Sequence, residues 1–266
     1  MTSPLTVRAE PKASARGAVA WSVAALPVSL ALAPHGRDAD LHAIDGAEGW
    51  PQRVAEAAER GARGVLVVAP VAESADESVL AVARGVPVVL DHGWASSPAI
   101  LGARAALSET SAPVLVDVAA AVERSADLAE GLLCQLVVAR ALFGPIPKPN
   151  LVEQGPNAIL AVGRTASSPL TFSVNVAPAG AAAATVKVVT SGGGLRLHLP
   201  SSASARPALV TTVDASGATL QPTVWESPHR ASWRRLARAV RAREVTDDLA
   251  DFSEVVALLG EPSYNR

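Results

Sequence analysis

The sequence predicts a two-domain α/β protein, in which a doubly wound parallel sheet precedes an α+β domain with an open antiparallel sheet. In the first half of the 266 residues, short apolar runs alternate with helical segments, which is typical of βαβ units. The segment GPIPKPN at 144–150 holds three prolines and predicts an extended connector. Runs that alternate apolar and polar residues follow it and indicate a sheet with one covered face. We therefore expect a first domain over residues 1–146 and a second over residues 147–266.

The predicted elements of the first half follow from local signals. GVLVVAP is apolar throughout, as expected for a parallel strand covered on both faces. Pro51 suits the first turn of a helix and Gly61 suits the residue after its end. On these grounds strands are predicted at 41–46, 64–70, 86–93 and 112–119, and helices at 50–61, 75–85, 96–110 and 125–144.

The apolar stretch from Ala18 to Pro34 allows two interpretations. It follows three basic residues and roughly resembles a secretory signal. Glu10 lies within that basic region, however, and Pro27 divides the apolar stretch. We therefore expect two buried strands, AVAWSVAAL and VSLALAP. No stretch reaches the ~20 apolar residues of a membrane-spanning helix, so no membrane association is expected.

Strands dominate the second half until the chain ends in two helices. SGGG at 191–194 lies between two strands, so it is a hairpin turn and not a phosphate loop, which must open a helix. Strands are predicted at 157–165, 170–177, 184–191, 195–201, 207–214 and 218–226, and helices at 232–243 and 246–260.

Composition excludes several classes of function. The formal net charge of −2 gives no field that favours nucleic acid. Cys134 is the only cysteine, so an intramolecular disulfide and a thiolate metal cluster are both excluded. It lies in an apolar helical run, where burial is expected. The histidines show no spacing typical of a metal site, so no metal is expected.

Several segments resemble one enzyme family. These are ARGVLVVAPVAESADESVLAVARGVPVVLDHGWASSPAILGARAAL, VVARALFGPI, VVTSGGGLRLHLPS and SWRRLARAVRAREVTDDLADFSEVVALL. In their order they resemble the Gfo/Idh/MocA family (glucose-fructose oxidoreductase / inositol dehydrogenase) over about three-quarters of the chain. The resemblance implies a cytoplasmic NAD- or NADP-dependent oxidoreductase acting on a sugar, cyclitol or other polyol. It also implies oligomers, formed with further copies or with a paralogous oxidoreductase.

The chain departs from the family pattern at each catalytic motif. It has no G-x-G-x-x-G, and Gly46 and Gly49 have the wrong spacing to replace it. The positions that match the family's Glu-Lys-Pro are Asp91, His92 and Gly93. The family's second-domain Asp/His pair has no counterpart after the connector. The first domain is therefore expected to be a degenerate Rossmann-type domain, which holds NAD or NADP in a variant loop or holds no cofactor.

Asp91, His92 and Trp94 form the first candidate site, at the end of a predicted strand. Ligands bind outside the carboxyl ends of strands in open α/β sheets, so Asp91 and His92 could face a ligand. His92 could also accept a hydroxyl proton during hydride transfer. The alternative is that both residues only cap a turn. Trp94 could stack on a sugar ring or pack in the core.

Four further residues carry a weaker functional interpretation. Asp45 could hold an adenosine ribose, or it could be a loop carboxylate. Pro70 and Glu73 match the family's turn beside the nicotinamide, although a rigid connector explains them as well. His198 alternates with leucines and could line a ligand surface on the outer sheet face or be solvated.

Two functions follow from these observations. The absent glycine loop, lysine and Asp/His pair favour a non-catalytic subunit, or a ligand-binding partner, of an oxidoreductase. The alternative is an active NAD(P)-dependent oxidoreductase on a sugar or cyclitol that uses His92 as its proton acceptor.

Overall fold

The structure is a computed structural model that describes residues 3–34, 37–83, 85–124, 127–177 and 182–259. The chain divides into two compact units. The first unit comprises Met1–Ser96 and Pro228–Ala257, and the second comprises Ser97–Ser227 and Leu258–Arg266. The boundaries of these units differ from the domain boundary expected after residue 146. That domain boundary stays a prediction.

The elements alternate between strand and helix in the first part of the chain and are mainly strands in the next part. In chain order they are β1 (Leu5–Ala9), α1 (Pro11–Arg16), α2 (Val19–Ala24), β2 (Leu30–Leu32), β3 (Leu41–Asp45), α3 (Trp50–Glu59), β4 (Gly64–Val68), α4 (Glu77–Ala83), β5 (Val88–Asp91), α5 (Ala99–Ser108), β6 (Pro113–Val122), α6 (Leu128–Phe143), β7 (Asn150–Gln154), β8 (Ala158–Arg164), β9 (Pro169–Val176), β10 (Ala183–Thr190), β11 (Gly193–Pro200), β12 (Leu209–Asp214), β13 (Gly217–Leu220), α7 (Pro228–Ala242) and α8 (Asp248–Leu259).

The first unit contains a five-stranded parallel sheet in the order β2-β1-β3-β4-β5. The chain runs from β1 outward to β2 and then returns to β3 on the other side of β1. The point between β1 and β3 is therefore the topological switch point, where ligands of doubly wound sheets bind. All five residues of β4 are buried, which agrees with a parallel strand covered on both faces.

The two strands expected between Ala18 and Pro34 are corrected by the structure. Val19–Ala24 is helix α2, and only Leu30–Leu32 forms a strand. The reason is that β1 and β2 are parallel neighbours, so the segment between them must cross over the sheet. Val19 and Val23 make that crossover apolar because they pack in the core.

Strand β6 does not belong to the parallel sheet, where it was expected. It lies in the eight-stranded sheet of the second unit, in the order β13-β12-β11-β10-β6-β9-β8-β7. It pairs antiparallel with β10 and parallel with β9, and the other pairs of this sheet are antiparallel. Burial alternates along β6. Its outward-facing residues include the apolar Leu115 and Ala119, so the sequence does not show the alternation of apolar and polar residues that marks a strand with one exposed face.

Helix α6 covers the inner face of this sheet. Gly131 makes close approach possible, because a Cβ there would come within 2.7 Å of Val174. Gln135, fully buried, donates from Nε2 to the carbonyls of Val118 (3.0 Å) and Ser173 (2.7 Å), and so joins β6 to β9. The predicted fold class, a Rossmann-type parallel sheet followed by an α+β domain, is confirmed.

Helix α7 packs against the parallel sheet of the first unit, where Trp233, Leu236 and Val240 are part of the core. It begins at Pro228, whereas the sequence predicted a start at residue 232. The earlier start places His229 in the first turn of this helix. In the part of the chain that the structure describes, no helix is long and apolar enough to cross a membrane.

Candidate functional site

The residues that follow β1 and β3 define the switch point of the first unit. Strand β1 ends at Ala9, and Glu10 is the single residue before α1 begins at Pro11. Strand β3 ends at Asp45, which is only 5% exposed. The carboxylate Oε2 of Glu10 accepts the backbone N–H of Asp45 at 2.9 Å. This contact joins Glu10 and Asp45, two acidic residues at the carboxyl ends of the two central strands.

Two arginines neutralise this pair. Arg16 donates from Nη1 to Asp45 Oδ1 at 3.1 Å, and the Nε of Arg53 lies 3.7 Å from Glu10 Oε1. Arg53 also donates to three backbone carbonyls, those of Asp45 (2.6 Å), Ala47 (3.0 Å) and Glu48 (2.9 Å). The β3–α3 turn is thus held by one guanidinium. The sequence did not indicate Arg53, because its partners are backbone atoms that no motif marks.

The residues at this turn do not fit a dinucleotide held in the usual way. A Rossmann site needs glycines in the first βα turn, so that backbone N–H groups and a helix N-terminus can contact the pyrophosphate. Here Glu10 and Pro11 stand in that turn, and proline has no N–H to donate. A pyrophosphate could take Arg16 or Arg53 as a partner only by displacing Asp45 or Glu10, and it would then face a carboxylate without its counter-charge. Asp45 is paired with Arg16 rather than open to a ribose.

Pro70 and Glu73 lie in the turn after β4, which packs on the turn after β3. Glu73 Oε2 accepts the backbone N–H of Gly49 at 2.7 Å, just before α3 begins, where a negative charge is favourable. Gly49 has a φ of 76°, in the left-handed region that favours glycine. Pro70 is buried, and a Cβ on Gly46 would lie 2.4 Å from its Cα. The contacts of Pro70 and Glu73 thus join two turns.

Asp91, at the end of β5, is 1% exposed and anchors the start of α7. Its Oδ2 lies 2.5 Å from His229 Nδ1, and its Oδ1 accepts the hydroxyl of Ser232 at 3.2 Å. Burial alone would lower the pKa of His229, but the hydrogen bond and negative charge of Asp91 outweigh it and raise that pKa above 6.5. Asp91 could be identified from the sequence, but His229 and Ser232 could not, because their positions in the chain give no signal.

His92 points its ring at helix α8. The ring centroid lies 4.8 Å from that of Phe252, with 37° between the ring planes. Burial, with the nearby charge of Arg235, lowers the pKa of His92 to about 4, although Asp91 opposes this. The ring is therefore neutral at pH 7. Its backbone N–H is held by Ser96 Oγ at 3.1 Å.

Trp94 and His198 are the remaining candidates. Trp94 is partly buried in the turn after β5. His198 lies on the outer face of β11, between the buried Leu197 and Leu199, with Nδ1 3.4 Å from Thr185 Oγ1. Asp91 and His92 are adjacent because they are neighbours in the chain, and Asp45 is joined to Glu10. His198 belongs to the second unit, whereas the other candidates belong to the first. Among the residues that the structure describes, no three His, Cys, Asp or Glu side chains could share a metal ion.

The outer face of the eight-stranded sheet carries a row of exposed apolar side chains. Leu115, Val189 and Val213 are 40%, 48% and 45% exposed. Val189 is the cross-strand neighbour of Leu115, and Gly194 lies between Val189 and Val213. Next to this row, Asp117 accepts the hydroxyl of Thr171 at 2.7 Å. This face combines apolar and charged groups, as protein interfaces do.

No family model and no curated protein sequence matches the chain. Solved structures do match its fold. An oxidoreductase from Agrobacterium radiobacter, solved with NAD+, L-tartaric acid and magnesium, has a TM-score of 0.71 at 11% identity, over 97% of this chain and 94% of that chain. KijD10, a 3-ketoreductase from Actinomadura kijaniata solved with TDP-benzene and NADP, has a TM-score of 0.69 at 15% identity, over 96% and 95% of the two chains.

A third match is the dehydrogenase MviM from Clostridium difficile. Its TM-score is 0.63 at 10% identity, over 83% of this chain and 78% of that chain. Identities this low show the fold alone. The chain therefore has the fold of the Gfo/Idh/MocA-type oxidoreductases.

Proposed function

We propose that this protein is a non-catalytic subunit, or a ligand-binding partner, of an oxidoreductase of the same fold. It would act in the cytoplasm, in the metabolism of a small polyol or sugar, and it would not transfer hydride itself. Solved neighbours hold NAD+ or NADP, so the fold is compatible with such a cofactor in other chains.

The observation that carries the proposal is the contact between Glu10 and Asp45 at the switch point. The N–H of Asp45 donates to Glu10, and Arg16 and Arg53 are already engaged by these two carboxylates. A pyrophosphate would have to displace both pairs and would meet two like charges without the backbone donors of a glycine loop. Loss of dinucleotide binding removes hydride transfer, and the fold remains for binding or assembly.

The outer sheet face supports an assembly role. Leu115, Val189 and Val213 expose a contiguous apolar row, and such patches on a stable protein often mark protein contacts. The charges of Asp117 and Lys187, cross-strand neighbours on this face, would set the register of a partner. The partner is a second copy or a paralogous oxidoreductase.

Co-expression with a paralogous oxidoreductase tests the proposal. We expect the two chains to co-purify and this chain alone to show no NAD(P)-dependent turnover of polyols. The matched variant is Val189→Asp, which places a charge in the apolar row and should abolish co-purification without unfolding the chain. Turnover by this chain alone, or complex formation unaffected by Val189→Asp, would contradict the proposal.

The alternative function is an active oxidoreductase with His92 as proton acceptor. It is favoured by one observation: His92 follows the carboxyl end of a parallel strand and is neutral at pH 7, as a proton acceptor must be. Its ring, however, lies against Phe252. If purified protein turns over a polyol, His92→Ala must abolish that turnover, and unchanged turnover would remove His92 from the mechanism.

A further inference from the structure

Two like charges face each other across neighbouring strands on the outer face of the eight-stranded sheet. Lys187 of β10 is the direct cross-strand neighbour of Arg196 of β11. Both side chains are exposed, and they lie beside the apolar row of Leu115, Val189 and Val213. Like charges directly opposite each other in an antiparallel pair are destabilising. The lone chain therefore carries an unfavourable pair of charges at this place.

Two more groups extend the positive charge along β11. His198 follows Arg196 on the same outward face of the strand, and Arg206 lies in the loop that joins β11 to β12. Burial and the charges of Arg196 and Arg206 all lower the pKa of His198, so both guanidinium groups act on its ring. The cross-strand neighbours of His198 are uncharged: Thr185 on β10, with Oγ1 3.4 Å from Nδ1, and Leu209 on β12. The surroundings of this ring are therefore positive.

The outer face offers these cations little counter-charge. In the described part of the chain, Asp117 is the only acidic residue among the outward residues of β6, β9, β10, β11 and β12. It is a cross-strand neighbour of Lys187, but it accepts a hydrogen bond from the hydroxyl of Thr171. Lys187, Arg196 and Arg206 form no ion pair with any residue that the structure describes. The cations of this face therefore lack partners of opposite charge.

A second copy of the chain would not supply the missing charge. In a two-fold contact the same face meets itself, so the copy would again bring Lys187 and Arg196 and would bring only Asp117 as an acid. A different chain that presents carboxylates would pair with the cations. Complementary charges across an interface speed association and disfavour wrong partners. The charge of this face therefore favours a contact between unlike chains.

We infer that the outer sheet face docks an acidic surface of a different protein chain, with carboxylates of that chain over Arg196 and Arg206 and apolar side chains over Val189. The inference rests on the proposed function, because it names the chemistry of the partner that the non-catalytic subunit would bind. Of the two partners proposed for this face, it keeps a paralogous oxidoreductase with an acidic docking surface and excludes a second copy.

An NMR titration of the His198 ring in the full chain tests the charge of the partner, with a short oligoglutamate peptide as the probe. We expect saturating peptide to raise the pKa of His198 by about 1, because carboxylates near Arg196 and Arg206 offset the charges that lower it. Arg196→Gln should weaken peptide binding about tenfold. Arg104→Gln, at an exposed arginine of α5 in the same unit, is the matched control and should leave binding unchanged.

Two outcomes of this titration would overturn the inference. One is an unchanged pKa of His198 at the highest peptide concentration. The other is an equal rise of that pKa with inorganic phosphate, since a small anion would then suffice. Sedimentation equilibrium of the lone chain is an independent check, and we expect a monomer at micromolar concentration. A dimer that Val189→Asp dissociates would mean that a second copy covers this face.

Co-expression with a paralogous oxidoreductase separates the inference from the proposed function. Arg196→Glu should weaken the complex by about tenfold, whereas Arg196→Lys, which keeps the charge, should retain it. A complex that tolerates Arg196→Glu would contradict the acidic docking surface and leave the proposed function intact. Absence of a complex, with the response of His198 to oligoglutamate present, would instead contradict the proposed function alone.

Discussion

The carboxylate of Asp91 and the imidazole of His229 lie 2.5 Å apart although 138 residues separate them in the chain. Asp91 ends β5 and His229 lies in the first turn of α7, so this contact fixes the returning helix to the sheet. The carboxylate in this contact belongs to the residue that matches the glutamate of the family's Glu-Lys-Pro motif. Both side chains are buried, at 0% and 8% exposure, which makes the pair an anchor for the first unit.

The Asp91–His229 pair should contribute measurably to stability. Asp91→Ala leaves a buried imidazole and the Ser232 hydroxyl without their partner, and such losses cost about 3–5 kcal/mol. Denaturant unfolding of Asp91→Ala, His229→Ala and the double variant gives the coupling energy. We expect the double variant to be much less destabilised than the sum of the singles. Asp38→Ala, an exposed carboxylate, is the control, and additive effects of the two singles would contradict the pairing.

The same pair predicts a pH dependence. Asp91 raises the pKa of His229 above 6.5, so the stabilisation is fully present below pH 6.5 and is lost as pH rises through the raised pKa. An NMR titration of the His229 ring should give a midpoint above 6.5 in the native protein and below 6.5 in Asp91→Asn, where burial is no longer opposed by the charge of Asp91. A native midpoint below 6.5 would show that burial, and not Asp91, dominates.

His92 predicts the opposite trend at lower pH. Its pKa is lowered to about 4, so between pH 6.5 and about 4 the unfolded chain binds the proton more tightly and stability falls as pH falls. His92→Leu removes this contribution. Unfolding free energies measured across this range should therefore decline less steeply for His92→Leu than for the native protein. Parallel curves would mean that the ring is solvated rather than packed on Phe252.

Cys134 should be inert in the folded protein. Cys134 is half-buried, and the loss of solvent around its thiol raises the pKa of that thiol to about 12, so almost no thiolate exists near pH 8. A thiol-specific reagent should label the native protein far more slowly than the same protein in denaturant. Equal rates in the two conditions would place Cys134 at the surface.

The alternation of elements was enough to predict the fold class, because buried parallel strands such as β4 read as apolar runs. It was not enough to assign β6 to its sheet, since the outward residues Leu115 and Ala119 are also apolar. Helix α2 was taken for a strand because its small apolar residues suit both structures. The period of an apolar pattern is informative only where the exposed face is polar.

The candidate site could likewise be predicted only in part. Asp45 and Asp91 were identified from their position at strand ends, because ligands of open α/β sheets bind outside the carboxyl ends of the strands. Their partners Glu10, Arg16 and His229 were not, because ion pairs between distant segments leave no local pattern. Glu10 is the clearest case: it is the residue of the first βα turn, but the strand before it, LTVRA, alternates apolar with polar residues and lacks the continuous apolar run typical of a buried parallel strand.

We propose that the Glu10–Asp45 contact leaves no place for a dinucleotide. A calorimetric titration of the full chain with NADH and with NADPH tests it most directly, and the charge variant Glu10→Gln reports on the carboxylate itself. We expect no saturable binding of either cofactor to the native protein up to about 1 mM. Saturable binding in the micromolar range would contradict it.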